Sequence, residues 1–186
     1  DLGSDPLAWL TRARSAARSL NYSGVFVHNQ PNQQVSARIT HVMEGGQELE
    51  KLEPLDGPLR EFIRRGDETI CYMPDQRAIK LDRRVTGRFF PQLINSEAET
   101  IARNYNVMLG LVERVGGFEC RWIHLQPKDQ LRYAQRLCSE VNTGLLLRAK
   151  LMSERDDTIE QFSFTELKVG ARAAAFVRAV DSIARR

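Results

Sequence analysis

The sequence has little of what marks specialised protein classes. Of its 186 residues only three are cysteines, and no two form a C-x-x-C pair, so neither a zinc site nor a dense disulfide framework is predicted. No stretch approaches the roughly 18 to 20 apolar residues that a membrane-spanning helix needs. The first residues lack the basic patch and apolar core of a secretory signal. These absences leave an ordinary globular domain as the expectation.

Charge of one sign is also scarce. The formal net charge is +3, and residues 171–186 carry all of it, because four arginines there oppose Asp181. Residues 1–170 are therefore neutral overall. A protein that relies on phosphate contacts spreads a basic patch across its folded face. Nucleic acid is not expected as a partner.

Catalytic signatures are missing as well. The sequence contains no G-x-S-x-G elbow, Walker loop, G-x-G-x-x-G or H-E-x-x-H motif. Its histidines, His28, His41 and His124, fall on different predicted strands without ligand spacing, which favours structural roles. The alternative is that His41 and His124 meet across a curved sheet and act as metal ligands. We therefore predict no catalytic residue, no metal site, no cofactor and no enzymatic activity.

Strand-like runs separated by turn clusters are abundant. The most informative is the last hairpin, in which residues 143–152 and 158–170 flank a Ser-Glu-Arg-Asp-Asp turn. Both runs carry apolar residues on both sides, so each face of this hairpin should be partly covered. Asp157 lies in this turn, and a positive φ at that position would cost about 0.5 to 1 kcal/mol.

Three segments have helical features. Ser4 is a suitable N-cap for a helix that runs to about Leu20. Ser96 and Glu99 form a capping box for a short helix that ends near Asn104. Residues 171–186 are Ala-rich and amphipathic, and they predict a helix that docks on the sheet or begins a linker, with a membrane-surface helix as the alternative.

The pattern predicts a mainly β, α+β fold. About ten or eleven short-linked strands form antiparallel neighbours, interrupted once between residues 85 and 105. A sheet of that size twists and curls, so we expect a curved antiparallel sheet that forms a half-open barrel with a helical lid. Residues 1–170 should form this half-barrel domain. Residues 171–186 would be a C-terminal helix or the start of a linker to a smaller, missing domain.

Two features are left open by the residues themselves. Cys120 and Cys138 could face each other if their strands pair across the turn near Lys128, but three separate buried thiols are favoured. Consecutive aromatics are unusual in a loop, and Phe89 and Phe90 either fold into the core as a lid or line an apolar pocket. For the pocket, the predicted ligand-binding residues are Phe89, Phe90, Leu93 and Ile94, with Arg84 and Arg88 facing an anionic headgroup.

Several short segments resemble the N-terminal domain of the MucB/RseB family of periplasmic regulators of the sigma-E (AlgU-type) response. They follow the family's order along nearly the whole chain, at residues 9–10, 19–27, 55–61, 114–117, 127–129, 132–133, 143–145, 160–162, 164–165 and 167–170. The resemblance implies a fold like that of the lipoprotein carriers LolA and LolB. It also implies location in the periplasm of a Gram-negative bacterium. This compartment is oxidising, so the question of a Cys120–Cys138 disulfide stays open.

The same resemblance implies a function. Members bind the periplasmic region of a membrane-spanning anti-sigma factor of RseA/MucA type and shield it from the site-1 protease, and lipid or lipopolysaccharide fragments release them. We therefore expect a non-enzymatic regulator that senses lipid through an apolar cavity. A periplasmic lipid or lipoprotein carrier of LolA type is the alternative, a hydrolase or a scaffold is a more distant one, and self-association stays open.

Overall fold

The computed structural model describes residues 3–75, 78–81 and 96–170, with the backbone alone at 78–81. These residues form two helices and eleven strands. The helices are α1 (Pro6–Ser19) and α2 (Ala98–Asn104). The strands are β1 (Tyr22–Gln30), β2 (Gln33–Glu44), β3 (Gln47–Pro54), β4 (Glu61–Arg65), β5 (Glu68–Tyr72), β6 (Ala78–Leu81), β7 (Tyr105–Val115), β8 (Phe118–Pro127), β9 (Ala134–Glu140), β10 (Leu146–Met152) and β11 (Thr158–Val169).

All eleven strands belong to one sheet. Their order is β6-β5-β4-β3-β2-β1-β11-β10-β9-β8-β7, so the sheet consists of two meanders that join where β1 pairs with β11. Within the described residues the end strands β6 and β7 do not pair with each other, and the sheet does not close. The predicted mainly β class with one large antiparallel sheet is therefore confirmed. The interruption after β6 separates two strands at opposite ends of the strand order.

Contacts between the first and last strands fix their antiparallel register. The Gly170 N–H donates to the Asn21 carbonyl at 2.8 Å, and the Thr165 hydroxyl donates to the Val25 carbonyl at 3.2 Å. These partners are more than a hundred residues apart in sequence. Turn signals act over a few residues, so they predict the hairpins and give no information on this pairing.

Both helices begin one residue later than their caps predict. The Asp5 carboxylate, rather than Ser4, accepts a hydrogen bond from the Leu7 N–H at 3.0 Å, because Pro6 is the first helical residue. Glu97 precedes α2 and makes no capping hydrogen bond with its side chain. The predicted capping box of Ser96 and Glu99 is therefore wrong, although the helix ends at Asn104 as expected.

The described residues divide into two compact units, and the first comprises residues 3–17, 28–34 and 96–164. Its core is apolar, with Ile123, Leu137 and Leu147 no more than 1% exposed. The buried stripe of α1 includes Trp9, Leu10, Ala13 and Ala16. Arg12 on this helix donates to the Glu140 carbonyl at 3.1 Å.

A disulfide crosses the first unit. Cys120 on β8 and Cys138 on β9 are bonded, with their Cα atoms 5.3 Å apart and both residues fully buried. The favoured expectation of three separate thiols is therefore wrong for this pair, while Cys71 is free and buried. The two strands pair across the 127–133 loop as predicted, which brings the thiols together.

The second unit comprises residues 18–27, 35–75, 78–81 and 165–170. Its apolar cluster contains Val42 and Leu49, with Ile63 packed against them. Polar residues are buried beside apolar ones in this unit: His41 is 1% exposed and Lys51 is 5% exposed.

The turn between β10 and β11 differs from the prediction by one residue. Asp156, with φ of 64°, is the non-glycine residue in the left-handed region, not Asp157. Its carboxylate pairs with Arg136. The expected backbone cost therefore applies to Asp156.

Candidate functional site

The predicted ligand-binding residues lie outside the described part of the chain. Phe89, Phe90, Leu93, Ile94, Arg84 and Arg88 all fall in residues 82–95, and the same holds for the helix predicted over 171–186. Their assignment stays a prediction. The candidate site is therefore built from the described residues.

An apolar groove lies in the second unit, where β3 ends, β4 begins and β5 ends. Its volume is about 340 Å³, within the range of pockets that hold ligands. Its lining residues are Glu53, Pro54, Leu55, Leu59, Arg60, Glu61, Tyr72, Met73 and Pro74. We call this feature the apolar groove.

The loop that forms one wall of the apolar groove is tied to its neighbour strand. The Leu55 N–H donates to the Ser36 carbonyl at 2.8 Å, and the Ser36 N–H donates to the Asp56 carboxylate at 2.8 Å. Gly57 follows with φ of 78°, a backbone conformation that side chains disfavour. These contacts fix the path of the loop, and they leave Leu55 50% and Leu59 76% exposed.

Three charged residues lie together beside these leucines. The Lys51 ammonium is buried between two carboxylates, at 3.3 Å from Glu53 Oε1 and 3.4 Å from Glu61 Oε1. The other carboxylate oxygen of Glu53, Oε2, is buried and has no hydrogen-bond partner within the described residues. Next to them the Arg60 guanidinium lies 5.5 Å from the centre of the Phe62 ring. The charged residues of the apolar groove lining are therefore Glu53, Glu61 and Arg60, with Lys51 paired to both carboxylates.

Sequence reasoning identified residues 55–61 as a family-like segment but not as a binding surface. The available signal was a Gly-Pro turn flanked by two leucines, because a loop that exposes two large apolar side chains close together is unusual. Which side of the loop they would occupy depends on the hydrogen bonds to Ser36, and no local pattern predicts these.

A polar cleft of about 520 Å³ lies in the first unit, between the 127–133 loop and the β10–β11 turn. Its charged lining is largely paired, since Arg132 bonds to Asp129 and Asp156 bonds to Arg136. Its walls are also held: the Lys128 side chain donates to the Ala102 carbonyl at 2.8 Å. Arg132, Asp129 and Asp156 in the lining of the polar cleft therefore already have charged partners.

Two of the three histidines, His28 and His41, have structural partners. His28 lies 2.5 Å from the Glu160 carboxylate. His41 places Nδ1 at 2.7 Å from the Leu20 carbonyl and Nε2 at 3.2 Å from the Glu48 carboxylate. Among the described residues, neither ring forms a hydrogen bond with a serine. Across residues 3–75, 78–81 and 96–170 no group of three His, Cys, Asp or Glu side chains could hold a metal ion.

His41 belongs to a buried polar cluster in the second unit. Its ring stacks on Tyr22 with centroids 5.0 Å apart, and Arg64 bridges Glu48 at 3.3 Å and Glu50 at 3.1 Å. Burial, with the charges of Glu50 and Glu48, raises the pKa of Tyr22 well above its ordinary value. Burial alone would raise the pKa of Glu48, but the His41 hydrogen bond and the Arg64 charge outweigh it and lower that pKa. The cluster joins the start of β1 to the β2–β4 hairpins.

No helix among the described residues is both long and apolar enough to cross a membrane.

Comparison with known proteins identifies the family. The model of the MucB/RseB N-terminal domain matches residues 5–182. MucB of Pseudomonas aeruginosa, named a regulatory protein of the sigma factor AlgU, is 30% identical over 175 residues, which cover 92% of this chain and 53% of that protein. The sigma-E regulatory protein RseB of Haemophilus influenzae is 24% identical over 174 residues, covering 94% of this chain and 55% of that protein.

A solved structure agrees. MucB in complex with MucA(peri) superimposes with a TM-score of 0.74 at 27% identity, and the match covers 90% of this chain and 56% of that one. The chain spans about half the length of the curated relatives that it matches. With the match across residues 5–182, this chain belongs to the MucB/RseB N-terminal domain family.

Proposed function

We propose that this domain is a non-enzymatic part of a sigma-factor regulator and binds the periplasmic region of a membrane-spanning anti-sigma factor. The single observation that carries the proposal is the family match over residues 5–182. The MucB structure that is similar to this chain was solved in complex with MucA(peri). In this proposal the bound domain covers the cleavage site of the anti-sigma factor, so the site-1 protease cannot reach that site.

Location in the periplasm is part of the proposal. The buried Cys120–Cys138 disulfide supports it, because disulfides persist in oxidising compartments such as the bacterial periplasm and are rare in the reducing cytosol. The relatives are named as regulatory proteins of the sigma factors AlgU and sigma-E. A domain in the periplasm could contact the periplasmic region of a membrane-spanning anti-sigma factor.

We also propose that lipid or lipopolysaccharide releases the partner. Release requires that lipid and anti-sigma factor favour different states of the same domain. The predicted contacts are the aromatic pair Phe89 and Phe90 for acyl chains, with Arg84 and Arg88 for an anionic headgroup. The alternative, a lipid or lipoprotein carrier, shares the lipid site and lacks the protein partner.

Titration of the chain with the purified periplasmic region of P. aeruginosa MucA tests the proposal. We expect saturable binding, slower cleavage of MucA by the site-1 protease, and loss of both effects when lipopolysaccharide is added. Lipid that copurifies with a chain having no affinity for MucA would favour the carrier instead. Unchanged cleavage at saturating chain would contradict the protective role.

A further inference from the structure

We propose that a disulfide-bonded thiol oxidoreductase oxidises Cys120 and Cys138 while the chain is still unfolded, and that Cys71 competes for this bond. This maturation step lies beyond the proposed function and rests on it only for the oxidising compartment. The carrying observation is that both bonded residues are enclosed, since Cys120 and Cys138 are each 0% exposed. The third cysteine, Cys71, is a free thiol that is buried in the other unit.

The burial of the bond fixes the order of events. Thiol–disulfide exchange requires that a thiolate reach the sulfur that it attacks. Cys120 and Cys138 lie on the paired strands β8 and β9, where Cys120 is the register partner of Glu140. The Glu140 carbonyl accepts hydrogen bonds from Arg12 of α1 and from the Gly144 N–H. Once these elements are packed, another protein cannot approach either sulfur, so the bond has to form before the first unit closes.

The exchange is balanced between the two proteins. A thiolate of the chain, from Cys120 or Cys138, attacks one sulfur of the oxidoreductase disulfide, and the other sulfur leaves as a thiolate. The second thiolate of the chain then attacks the chain sulfur of this mixed disulfide and displaces the remaining oxidoreductase thiolate. The chain loses two electrons and two thiol protons, and the oxidoreductase disulfide becomes a dithiol.

The speed of folding requires a fast oxidant. Single domains dominated by β-strand pairing fold in roughly milliseconds to seconds, whereas disulfide formation takes about seconds to hours, depending on the oxidant. A cysteine of low pKa in an oxidoreductase is a good leaving group and accelerates the exchange. Slow oxidation therefore loses the competition with folding, and a protein oxidant that acts on the unfolded chain wins it.

Cys71 is a competitor because all three thiols are accessible in the unfolded chain. The native pair is separated by 18 residues, whereas Cys71 lies 49 residues before Cys120 and 67 before Cys138. Loop closure becomes less probable with about the 3/2 power of loop length, so at exchange equilibrium about a quarter of the single bonds involve Cys71. These bonds have to be exchanged before folding, because the folded domain holds Cys71 as a free thiol.

The first experiment compares two times of oxidant addition. The 186-residue chain is reduced, unfolded in urea and diluted without oxygen. Oxidised DsbA, the probe, is added either at dilution or after the circular dichroism signal has become constant. Mass spectrometry of alkylated samples follows the Cys120–Cys138 bond. Addition at dilution should form the bond about tenfold faster or more, because a folded chain encloses its sulfurs.

Both results of the delayed addition are informative. A delayed chain that is folded and still oxidises equally fast would overturn the order of events. A delayed chain that stays unfolded until the oxidant arrives would support that order, since its folding then follows the bond.

The second experiment measures the competition from Cys71. In urea with a glutathione redox buffer, peptide maps of the wild-type chain should place about a quarter of the single bonds on Cys71. On refolding these bonds should disappear in favour of the native one. The Cys71→Ala variant should form the native bond alone under both conditions. Maps of the unfolded wild-type chain without any bond to Cys71 would overturn its role as a competitor.

The third experiment tests the oxidoreductase in cells. The chain is exported with a secretory signal into the periplasm of Escherichia coli with and without DsbA. Wild-type chain should accumulate several-fold less without DsbA, because a destabilised chain is degraded. The matched control, the double variant Cys120→Ala with Cys138→Ala, should accumulate to the same low level in both strains. Equal amounts of oxidised wild-type chain in both strains would overturn the oxidoreductase assignment.

The outcomes are separate from those of the proposed function, since none of these experiments measures binding to MucA. Oxidised chain that matures as described and fails to bind MucA would overturn the regulator and retain the maturation step. Oxidised chain that binds MucA and forms its bond equally fast after folding would retain the regulator and overturn the maturation step.

Discussion

The two units stabilise similar antiparallel hairpins with different chemistry. The first unit buries Ile123, Leu125 and Leu137 at 1% exposure or less, and a disulfide joins β8 to β9. The second unit has a smaller apolar cluster around Val42 and Leu49, and beside it His41, Glu48 and Arg64 form a linked polar cluster.

This difference indicates which changes should destabilise each unit. Apolar burial and a covalent link do not titrate, so the first unit should respond to reductant and to loss of core volume. Buried charges are stable only when each keeps its partner, so the second unit should respond to the removal of single partners, and each unit should respond to pH through its own titratable groups. The apolar groove follows the same pattern, since it lies beside a buried lysine that holds two carboxylates.

The largest expected effect comes from removing the disulfide. Replacing Cys120 and Cys138 together by alanine should lower the free energy of unfolding by about 3 kcal/mol, because the link closes a loop of 18 residues in the unfolded chain. Urea unfolding with and without reductant measures the loss. Wild-type protein in reductant should approach the variant, while the variant should not respond to reductant.

Hydrogen exchange assigns that loss to a unit. Amides of β8 and β9 should lose protection first in the double variant, whereas β3 and β4 should keep theirs. Earlier loss in β3 and β4 would contradict the contrast between the units.

A smaller effect is expected from Glu48→Gln in the second unit. The side chain accepts from His41 and Arg64 and is 28% exposed, so we expect a loss of about 1 kcal/mol near pH 7. Folding lowers the pKa of Glu48, so its contribution is fully present above the ordinary value of 4.5 and is lost as the pH falls through the lower folded-state pKa. Stability curves from pH 7 to pH 3 should therefore converge for wild type and variant at the acid end.

His124 provides the comparison in the first unit. Burial, reinforced by the nearby Arg136, lowers its pKa below the ordinary 6.5. Folding thus favours the neutral ring, and stability should fall as the pH drops below 6.5 and the unfolded chain takes up the proton first. His124→Asn should flatten this earlier, near-neutral part of the curve and leave the more acidic part unchanged. If the pH–stability curves of His124→Asn and Glu48→Gln were parallel from pH 7 to pH 3, the two groups would not act in separate pH ranges.

Sequence reasoning predicted the hairpins well because their signals are local. Residues 44–46 and 116–117 are glycine turns whose flanking runs became β2–β3 and β7–β8 as expected. The pairing of β1 with β11 was not predicted, since it depends on residues more than a hundred positions apart. The favoured prediction of separate thiols is wrong for the same reason: local signals predict the strand pairing near Lys128, but whether the two thiols face each other depends on the register.

The candidate site was less accessible to prediction. Consecutive aromatics at Phe89 and Phe90 indicate either a lid packed into the core or an apolar pocket, and those residues lie outside the described part of the chain. The apolar groove includes Leu59, which is exposed, and Glu53, whose carboxylate pairs with Lys51, and its loop wall is held by hydrogen bonds to Ser36 on another strand. From the sequence alone, Leu59 and Glu53 look like any other leucine and glutamate in the chain.

The smallest expected effect tests whether ion pairs matter equally in both units. Arg14 approaches Glu97 at 3.8 Å, and the two side chains are 30% and 69% exposed. Exposed pairs contribute roughly 0 to 1 kcal/mol, and the buried Arg14 Nε has no acceptor within the described residues, so its removal offsets part of that gain. Arg14→Gln should therefore change the free energy of unfolding by less than about 0.5 kcal/mol.

Arg64→Gln makes the same substitution in the second unit, where the guanidinium bridges two carboxylates and its pKa is raised because Glu50 and Glu48 outweigh the effect of burial. We expect a loss of about 1 to 2 kcal/mol there, since Glu48 and Glu50 would face each other without a cation. Urea midpoints in low salt and in about 0.5 M salt measure both variants, and screening should narrow the gap between them. Equal losses at low salt would mean that the first unit also depends on its ion pairs, and the contrast between the units would then rest on the disulfide alone.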